Sequence, residues 1–175
     1  VESGDDGYRL TAVPEYGGLV IAHGLDAPYE VEYHDAVGST NDHARELADE
    51  GASDVVVVAD EQTGGRGRLD REWAAPPGGV YASILTRPTV PPSQVPLATL
   101  AAAVAVTRAA REAGVDARIK WPNDVLVAVD DGGDGKAPTF RKLAGILTEM
   151  EGEADRVSWL VVGIGVNANV SASDL

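Results

Sequence analysis

Glycine and arginine alternate within residues 61–73, EQTGGRGRLDREW, in a pattern that suits an anionic ligand. Arg66, Arg68 and Arg71 fall within six consecutive positions, among three glycines. Guanidinium groups bind carboxylates and phosphates through paired, fixed donors, and glycine lets the backbone approach a ligand closely. The stretch therefore predicts a pocket for a small anion. The alternative is an exposed turn whose arginines pair with neighbouring carboxylates.

The rest of the composition is strongly acidic, which restricts the partners this pocket can serve. The 175 residues carry 28 Asp and Glu against 14 Lys and Arg, giving a net charge of −14 and a pI near 4.4. This balance argues against broad, non-specific binding to nucleic acid, which depends on cations that neutralise phosphates. Excess acid, few lysines and many small apolar residues indicate adaptation to high salt, where self-repulsion is screened.

The length and the apolar pattern predict one buried domain without a membrane segment. No apolar run is long enough to cross a bilayer. Residues 1–6, VESGDD, lack the basic start and apolar segment of a signal peptide. We therefore expect a cytoplasmic protein with no membrane partner.

Metal-ligand patterns are weak in the sequence. Cysteine is absent, which excludes thiolate sites and disulfides. His23, His34 and His43 show no metal-ligand spacing, so surface or helix positions are favoured over a role as ligands. Residues 130–138, DDGGDGKAP, are predicted to be a flexible hairpin tip. Their acids could suggest a calcium loop, but the closing glutamate of such a loop is missing.

The elements that must position the Gly/Arg stretch alternate between strands and helices. Residues 55–59, VVVVA, predict a buried strand that leads directly into it. Ser39 or Thr40 can cap a helix that ends at Gly51, and residues 97–113 predict a longer alanine-rich helix. Further strands are predicted at residues 31–34, 79–86, 118–121, 125–128, 141–150 and 157–166. Residues 16–23 fit either a short helix or a strand. This is a mixed α/β domain with one main sheet rather than a doubly wound parallel sheet.

Five separated segments resemble one enzyme family. They are STN at 39–41, QTGGRGR at 62–68 with Trp73, KWPND at 120–124, KLAGIL at 142–147 and GIGVN at 163–167. In this order and spacing they closely resemble the catalytic domain of biotin protein ligases, over roughly residues 30–170. The resemblance implies an α+β fold with a central mixed sheet flanked by helices, related to lipoate ligases and class II aminoacyl-tRNA synthetases.

The resemblance also implies an activity. Family members join biotin to ATP, which forms biotinyl-5′-AMP and releases pyrophosphate, and then transfer biotin to one lysine of a biotin carboxyl carrier domain. ATP, Mg²⁺ and biotin are the implied cofactors and substrate, and a homodimer is a further expectation. Two alternatives stay open at this point: a lipoate ligase or octanoyl transferase, and a non-catalytic fragment that senses biotin.

Site residues follow from the matching positions. Lys142 and Arg66 are the implied catalytic cations. The implied biotin-binding residues are Ser39, Thr40, Asn41, Gln62, Gly65, Arg66, Gly67, Arg68, Lys142 and Gly145. The implied nucleotide-binding residues are Arg68, Arg71, Trp73, Asn123, Lys142 and Asn167. Asp124 is the implied Mg²⁺ ligand. Trp73 also fits a core position.

Domain organisation is inferred from the same resemblance. We expect residues 28–175 to be the catalytic domain, without the SH3-like β-barrel that usually follows it in the family. Residues 1–27 resemble the wing and linker that join a winged helix-turn-helix to it in bifunctional members. DNA is therefore expected as a partner only where a longer chain supplies the reading helix. Leu69 and Asp70 stand where many relatives have an Arg-Gly pair.

Overall fold

A computed structural model of the chain describes residues 2–4, 7–9, 17–129 and 139–171. A two-stranded antiparallel hairpin, β1 (Glu2–Gly4) and β2 (Gly7–Arg9), precedes the main body. The helices are α1 (Gly18–Gly24), α2 (Thr40–Asp49) and α3 (Val95–Glu112). The strands of the main sheet are β3 (Glu30–Val37), β4 (Val55–Gln62), β5 (Val80–Thr86), β6 (Ala117–Lys120), β7 (Asp124–Val129), β8 (Thr139–Gly152) and β9 (Val157–Val166).

The main sheet is mixed, as predicted. Its strand order is β3-β4-β5-β9-β8-β7-β6. β3 and β4 are parallel and are joined through α2, whereas the other neighbouring strands pair antiparallel. A parallel pair needs a crossover, and α2 supplies it. The carboxyl ends of β3 and β4 therefore lie together, and this brings the N-terminus of α2 beside the start of the Gly/Arg loop.

β9 separates two hydrophobic clusters, because alternate residues of a strand point to opposite faces. Leu160 and Val162 belong to the cluster with Ala103 of α3. Trp159 and Val161 belong to the cluster with α2, which also contains Leu85 of β5. The sheet is thus packed by α2 on one face and by α3 on the other. The alanines of α3 allow the helix axis to lie close to the strands.

The ends of α2 are fixed by side chains. Ser39 is the N-cap, and its hydroxyl accepts from the Asp42 amide at 3.4 Å. At the other end the Arg87 guanidinium donates to the carbonyls of Ala48, Ala52 and Ser158 at 2.6–3.1 Å. Both contacts satisfy backbone groups that a helix leaves without partners.

Several boundaries differ from the sequence predictions. Residues 16–23 were ambiguous, and the structure places helix α1 there. The alanine-rich helix begins at Val95 rather than at residue 97, because Pro96 suits the first turn of a helix. β8 extends to Gly152, two residues beyond the predicted end. The predicted hairpin tip at 130–138 lies outside the described residues. Among the described residues, no helix combines the length and the apolar character needed to cross a membrane.

A close approach between β9 and α2 depends on a glycine. A Cβ placed on Gly163 would lie 2.1 Å from Oδ1 of Asn41, which is 5% exposed. That oxygen already accepts from the Ser83 hydroxyl at 2.6 Å. A side chain at position 163 would therefore displace a buried, hydrogen-bonded amide.

We predict that Gly163→Ala lowers the free energy of unfolding by about 1–3 kcal/mol, because overpacking forces the Asn41 amide out of position. The measurement is urea unfolding followed by circular dichroism. Gly24→Ala is the matched control, since a Cβ there meets no atom within 4 Å. Equal stability of both variants and the parent would contradict this account of the contact.

The acidic charge predicts a dependence on salt. With a net charge of −14, repulsion among carboxylates opposes folding at low ionic strength and is screened as salt is added. The melting temperature should rise from dilute buffer toward molar KCl. Calorimetry measures this directly, and an unchanged or lower melting temperature would refute adaptation to high salt.

Candidate active site

A buried polar network surrounds the N-terminus of α2. Ser39, Thr40, Asn41 and Ser83 are each no more than 5% exposed. The Thr40 amide and hydroxyl both donate to Oε1 of Gln62, at 2.8 and 3.0 Å. The Ser83 hydroxyl donates to Asn41 and lies 2.8 Å from the Thr40 hydroxyl. The network fixes the orientation of polar groups from α2, β4 and β5 at one end of a cleft.

Asn41 extends this network to the opposite strand. Its Nδ2 donates to Oε2 of Glu149 on β8 at 2.6 Å. The other carboxylate oxygen of Glu149 accepts from Arg45 at 3.3 Å. A polar path therefore runs from the helix terminus to the charged groups of the Gly/Arg loop.

Arg66 is one of two arginines of that loop that line the cleft, the other being Arg68. Its Nη2 pairs with the Asp42 carboxylate and lies 3.6 Å from Oε1 of Glu149. Asp42 is shared with Arg45 at 2.6 Å. The Nε of Arg66 is buried and has no hydrogen-bond partner within the described part of the chain. The alternative of arginines paired with carboxylates is thus true of Arg66, but the pairing occurs inside the cleft rather than on an exposed turn.

Backbone contacts shape the rest of the loop. The Gly64 amide donates to the Gly38 carbonyl at 2.7 Å, and the Trp73 amide donates to the Gly65 carbonyl at 2.9 Å. A Cβ on Gly65 would lie 2.4 Å from the Trp73 carbonyl oxygen, so this position requires glycine. Leu69 is in the left-handed region, at φ 60°, and is 83% exposed. The tip of the loop therefore projects away from the core.

Trp73 lies on glycines of the sheet beside the second predicted cation. A Cβ on Gly165 would be 2.8 Å from Nε1 of Trp73, and one on Gly145 would be 3.1 Å from the same ring. The Lys142 ammonium sits 4.9 Å from the ring centroid, within cation–π range. Nε1 of Trp73 is buried, and none of the described residues accepts a hydrogen bond from it. The indole is half-buried and forms one wall of the cleft.

The KWPND segment at residues 120–124 contacts both Arg68 and Lys142. The Trp121–Pro122 bond is cis. The Asn123 amide donates to the Ile146 carbonyl at 3.1 Å and its oxygen accepts from Arg68 at 3.2 Å. Asp124 pairs with Lys142 at 2.7 Å. Arg68 and Lys142 are therefore held by neighbouring residues of one segment.

Most of the predicted site residues line this one cleft, which opens to solvent. They are Ser39, Thr40, Asn41, Gln62, Arg66, Gly67, Arg68, Trp73, Asn123, Lys142 and Gly145. Asp124 and Arg71 line an adjoining recess that shares Arg68, Trp73 and Lys142 with the cleft. Gly65 lines a second recess, formed by residues 62–66 and 71–75. Asn167 donates to the Lys142 carbonyl of β8 at 3.3 Å. Their ligand-binding roles stay predictions.

Some residues of the site were not singled out from the sequence. Gly163 and Gly165 line the cleft and belong to the GIGVN segment, whose glycines were quoted without a role. Asp42, Ser83 and Glu149 hold the cleft residues in place through the contacts above. No local pattern distinguishes these three from other polar residues in the sequence.

Two other groups of side chains require comment. Burial raises the pKa of Tyr81, whose hydroxyl donates to the Pro76 carbonyl at 2.8 Å and which does not line the cleft. His34 and His43, which have no metal spacing in sequence, lie with ring centroids 4.7 Å apart. The argument from spacing missed this pair because one ring is on β3 and the other is on α2.

Comparison with known proteins agrees with the geometry. Residues 35–167 match the family model of the biotin/lipoate A/B protein ligase family. The bifunctional ligase/repressor BirA of Bacillus subtilis is 46% identical over 175 residues, which cover 96% of this chain and 50% of that protein. The biotin–[acetyl-CoA-carboxylase] ligase of Paracoccus denitrificans is 40% identical over 132 residues, covering 74% and 50% respectively.

Solved structures give the same result. Biotin protein ligase of Aquifex aeolicus in complex with biotin and ATP has a TM-score of 0.56 and 31% identity, over 78% of this chain and 51% of that one. The Leishmania major enzyme with biotinyl-5-AMP has a TM-score of 0.60 and 29% identity, over 83% and 59%. The chain spans about half the length of the curated relatives it matches. It belongs to the biotin/lipoate A/B protein ligase family and resembles, within that family, the catalytic domain of the biotin protein ligases.

Proposed function

We propose that this chain is the catalytic domain of a biotin protein ligase. It activates biotin with ATP to biotinyl-5′-AMP and then transfers biotin to a lysine of a biotin carboxyl carrier domain. The observation that supports this best is the placement of three cations, Arg66, Arg68 and Lys142, around one cleft whose inner end is a neutral polar network. Such a cleft suits a ligand with a neutral hydrogen-bonding head and an anionic tail.

The neutral end of the cleft suits the ureido ring of biotin. Thr40 and Gln62 offer hydroxyl and amide groups that are oriented by each other and by Ser83, and the Ser39 hydroxyl is held by the Asp42 amide. Fixed donors and acceptors bind a neutral heterocycle with little ordering cost, because they were ordered before the ligand arrived. Gly163 keeps that part of the cleft free of a side chain, because a Cβ there would meet the Asn41 amide.

The charged end suits the reaction itself. The biotin carboxylate oxygen attacks the α-phosphorus, and the bond from that phosphorus to the pyrophosphate oxygen breaks. Two anions must approach each other, so cations that lie beside them lower the barrier. Lys142 and Arg66 are proposed to serve the carboxylate and the α-phosphate, and Arg68 with Arg71 the rest of the nucleotide. Trp73 is proposed to pack against adenine, with Asn123 and Asn167 as further nucleotide contacts.

Two of the cations of the cleft are already paired with carboxylates in the chain without substrates. Lys142 is paired with Asp124, and Arg66 is paired with Asp42 and Glu149. An incoming carboxylate or phosphate must exchange with these carboxylates or share their cations. We therefore expect the cations to change partners when substrates bind, rather than to become charged or ordered for the first time.

Mg²⁺ is proposed to enter with ATP. It binds proteins through one or two carboxylates and completes its shell with phosphates and water, so a single carboxylate beside the nucleotide is a suitable donor set. Asp124 meets this description, because it faces the recess that adjoins the cleft. When bound, the ion would neutralise phosphate charge, while Lys142, released from Asp124, would face the biotin carboxylate.

Transfer completes the proposed cycle. The carrier lysine attacks the acyl carbon of biotinyl-5′-AMP, its N–C bond forms, and AMP leaves with the anhydride oxygen. The partner is therefore a biotin carboxyl carrier domain of a biotin-dependent carboxylase. Within the described residues no side chain is needed as a covalent nucleophile for this chemistry.

The domain organisation is also a proposal. Residues 28–175 form the catalytic domain, and the hairpin β1–β2 suits the wing and linker at residues 1–27. In a longer protein with a reading helix, DNA would be a further partner, and the relative from Bacillus subtilis is called a ligase/repressor. A cytoplasmic location and a homodimer remain expectations from the sequence.

Pyrophosphate release separates the proposal from its two alternatives. The assay contains the chain, ATP and Mg²⁺ with biotin, lipoate or octanoate as the acid. Release with biotin alone supports the proposal, whereas release with lipoate or octanoate would assign the chain to the other branch of the family. Tight binding of biotin without any release would identify a sensing fragment.

Lys142→Ala should reduce adenylate formation by about 10²–10³-fold, because it removes a fixed cation from the place where charge develops. The side chain is 40% exposed, so the fold should tolerate the change. Single-turnover formation of biotinyl-5′-AMP is the measurement. Arg156→Ala, which removes an exposed cation at the β8–β9 turn, is the matched control. Near-normal adenylation by Lys142→Ala would refute the proposed role.

A further inference from the structure

Three side chains that do not line the cleft converge between β3 and α2. Glu32 and His34 are two positions apart on β3, so they point to the same face of the strand. His43 lies in the first half of α2. One ligand atom from each of these residues lies within 4.8 Å of the others. This group, Glu32, His34 and His43, is called the His/Glu cluster below.

The distances within the His/Glu cluster suit a shared cation. Nε2 of His43 is 2.8 Å from Oε2 of Glu32, and Nε2 of His34 is 3.7 Å from the same oxygen. Ligands of a tetrahedral Zn²⁺ with bonds of about 2.0–2.2 Å lie about 3.3–3.5 Å apart. The observed separations bracket that value, so small side-chain movements would place the three atoms around one ion.

One histidine nitrogen points to a ligand. Nε2 of His34 is buried and has no hydrogen-bond partner among the residues that the structure describes, although buried polar atoms are normally satisfied. Nδ1 of His43 lies 3.6 Å from the carboxylate of Glu46, one turn further along α2. At this distance Glu46 is a neighbour of His43 and not its hydrogen-bond partner. Nε2 of His43 is hydrogen-bonded to the Glu32 carboxylate at 2.8 Å, so a metal ion would replace the proton that these two ligands share.

We propose that the His/Glu cluster binds one divalent transition-metal cation of the Zn²⁺ type. Two imidazoles and one carboxylate form a donor set that such ions prefer and that Mg²⁺ and Ca²⁺, which take oxygen ligands, do not. The side chains are 29–32% exposed, so an ion can enter and a water molecule can complete a four-coordinate shell.

The ion would strengthen the contact between β3 and α2, which the hydrogen bond between His43 and Glu32 already joins. Within the described ranges, β3 is an edge strand of the seven-stranded sheet and pairs with β4 alone. A bond from β3 to α2 through the metal would hold this edge against the helix whose N-terminus forms the inner end of the cleft. Binding to the folded state alone raises stability. The site is separate from the Mg²⁺ proposed at Asp124, and it holds whether or not the chain is a biotin ligase.

The test is a Zn²⁺ titration of the full chain, without a histidine tag, in molar KCl with excess Mg²⁺ to suppress binding to surface carboxylates. Calorimetry should show one equivalent bound. The melting temperature should rise by roughly 5–10 °C when free Zn²⁺ exceeds Kd about a hundredfold.

Single substitutions identify the ligands. His34→Gln and His43→Gln should each raise the Kd for Zn²⁺ at least tenfold. His23→Gln, which changes the exposed histidine of α1, should bind Zn²⁺ with the Kd of the parent. Equal affinity in all three variants, or no saturable binding by the parent, would overturn the proposal.

A measurement on the unaltered chain covers the case in which a variant does not fold. Imidazole nitrogens are observed by ¹H–¹⁵N NMR as Zn²⁺ is added. The proposal requires Nε2 of His34 and His43 to shift with saturation at one equivalent while His23 stays constant. Uniform small shifts of all three rings would show only weak surface binding and would overturn it.

Discussion

The ion pairing of Arg66 is the contact on which the arrangement of the cleft depends. In a chain with a net charge of −14, cations gathered at one place must be held there against many competing carboxylates. Asp42 of α2 and Glu149 of β8 hold Arg66 from two sides. The same two carboxylates bind Arg45, and Glu149 also accepts from Asn41. The positive loop and the neutral polar end of the cleft are therefore parts of one hydrogen-bonded structure.

Much of the cleft could be predicted from the sequence, because its main contributions are local. The β-branched run 55–59 predicted strand β4, and that strand delivers the Gly/Arg loop to the carboxyl edge of the sheet. Ser39 was predicted as a helix cap, and the cap contact is present. The segment resemblance named eleven of the residues that line the cleft. Their binding roles depend on a ligand and stay predictions after the fold is known.

The remaining features could not be predicted, because they arise between elements distant in sequence. Glu149 is one of 28 acidic residues, and only the placement of β8 beside β9 turns it toward Asn41. His34 and His43 are nine positions apart on a strand and a helix, so neither helical nor strand periodicity relates them. The strand order has the same origin, since β9 enters between β5 and β8 from the end of the chain.

The choice between arginine and lysine in this chain follows the geometry of the contacts. Arg87 donates to three carbonyls at once through Nε, Nη1 and Nη2, which the planar fork of a guanidinium permits. Lys142 is one of three lysines, and it contacts the edge of the cleft through one carboxylate and one aromatic face. A compact charge on a flexible stem can leave Asp124 and follow a reacting carboxylate without breaking a multidentate contact. The multidentate contact of Arg87 therefore holds the C-terminal end of α2, whereas Lys142 is suited to the change of partner that the proposed reaction requires.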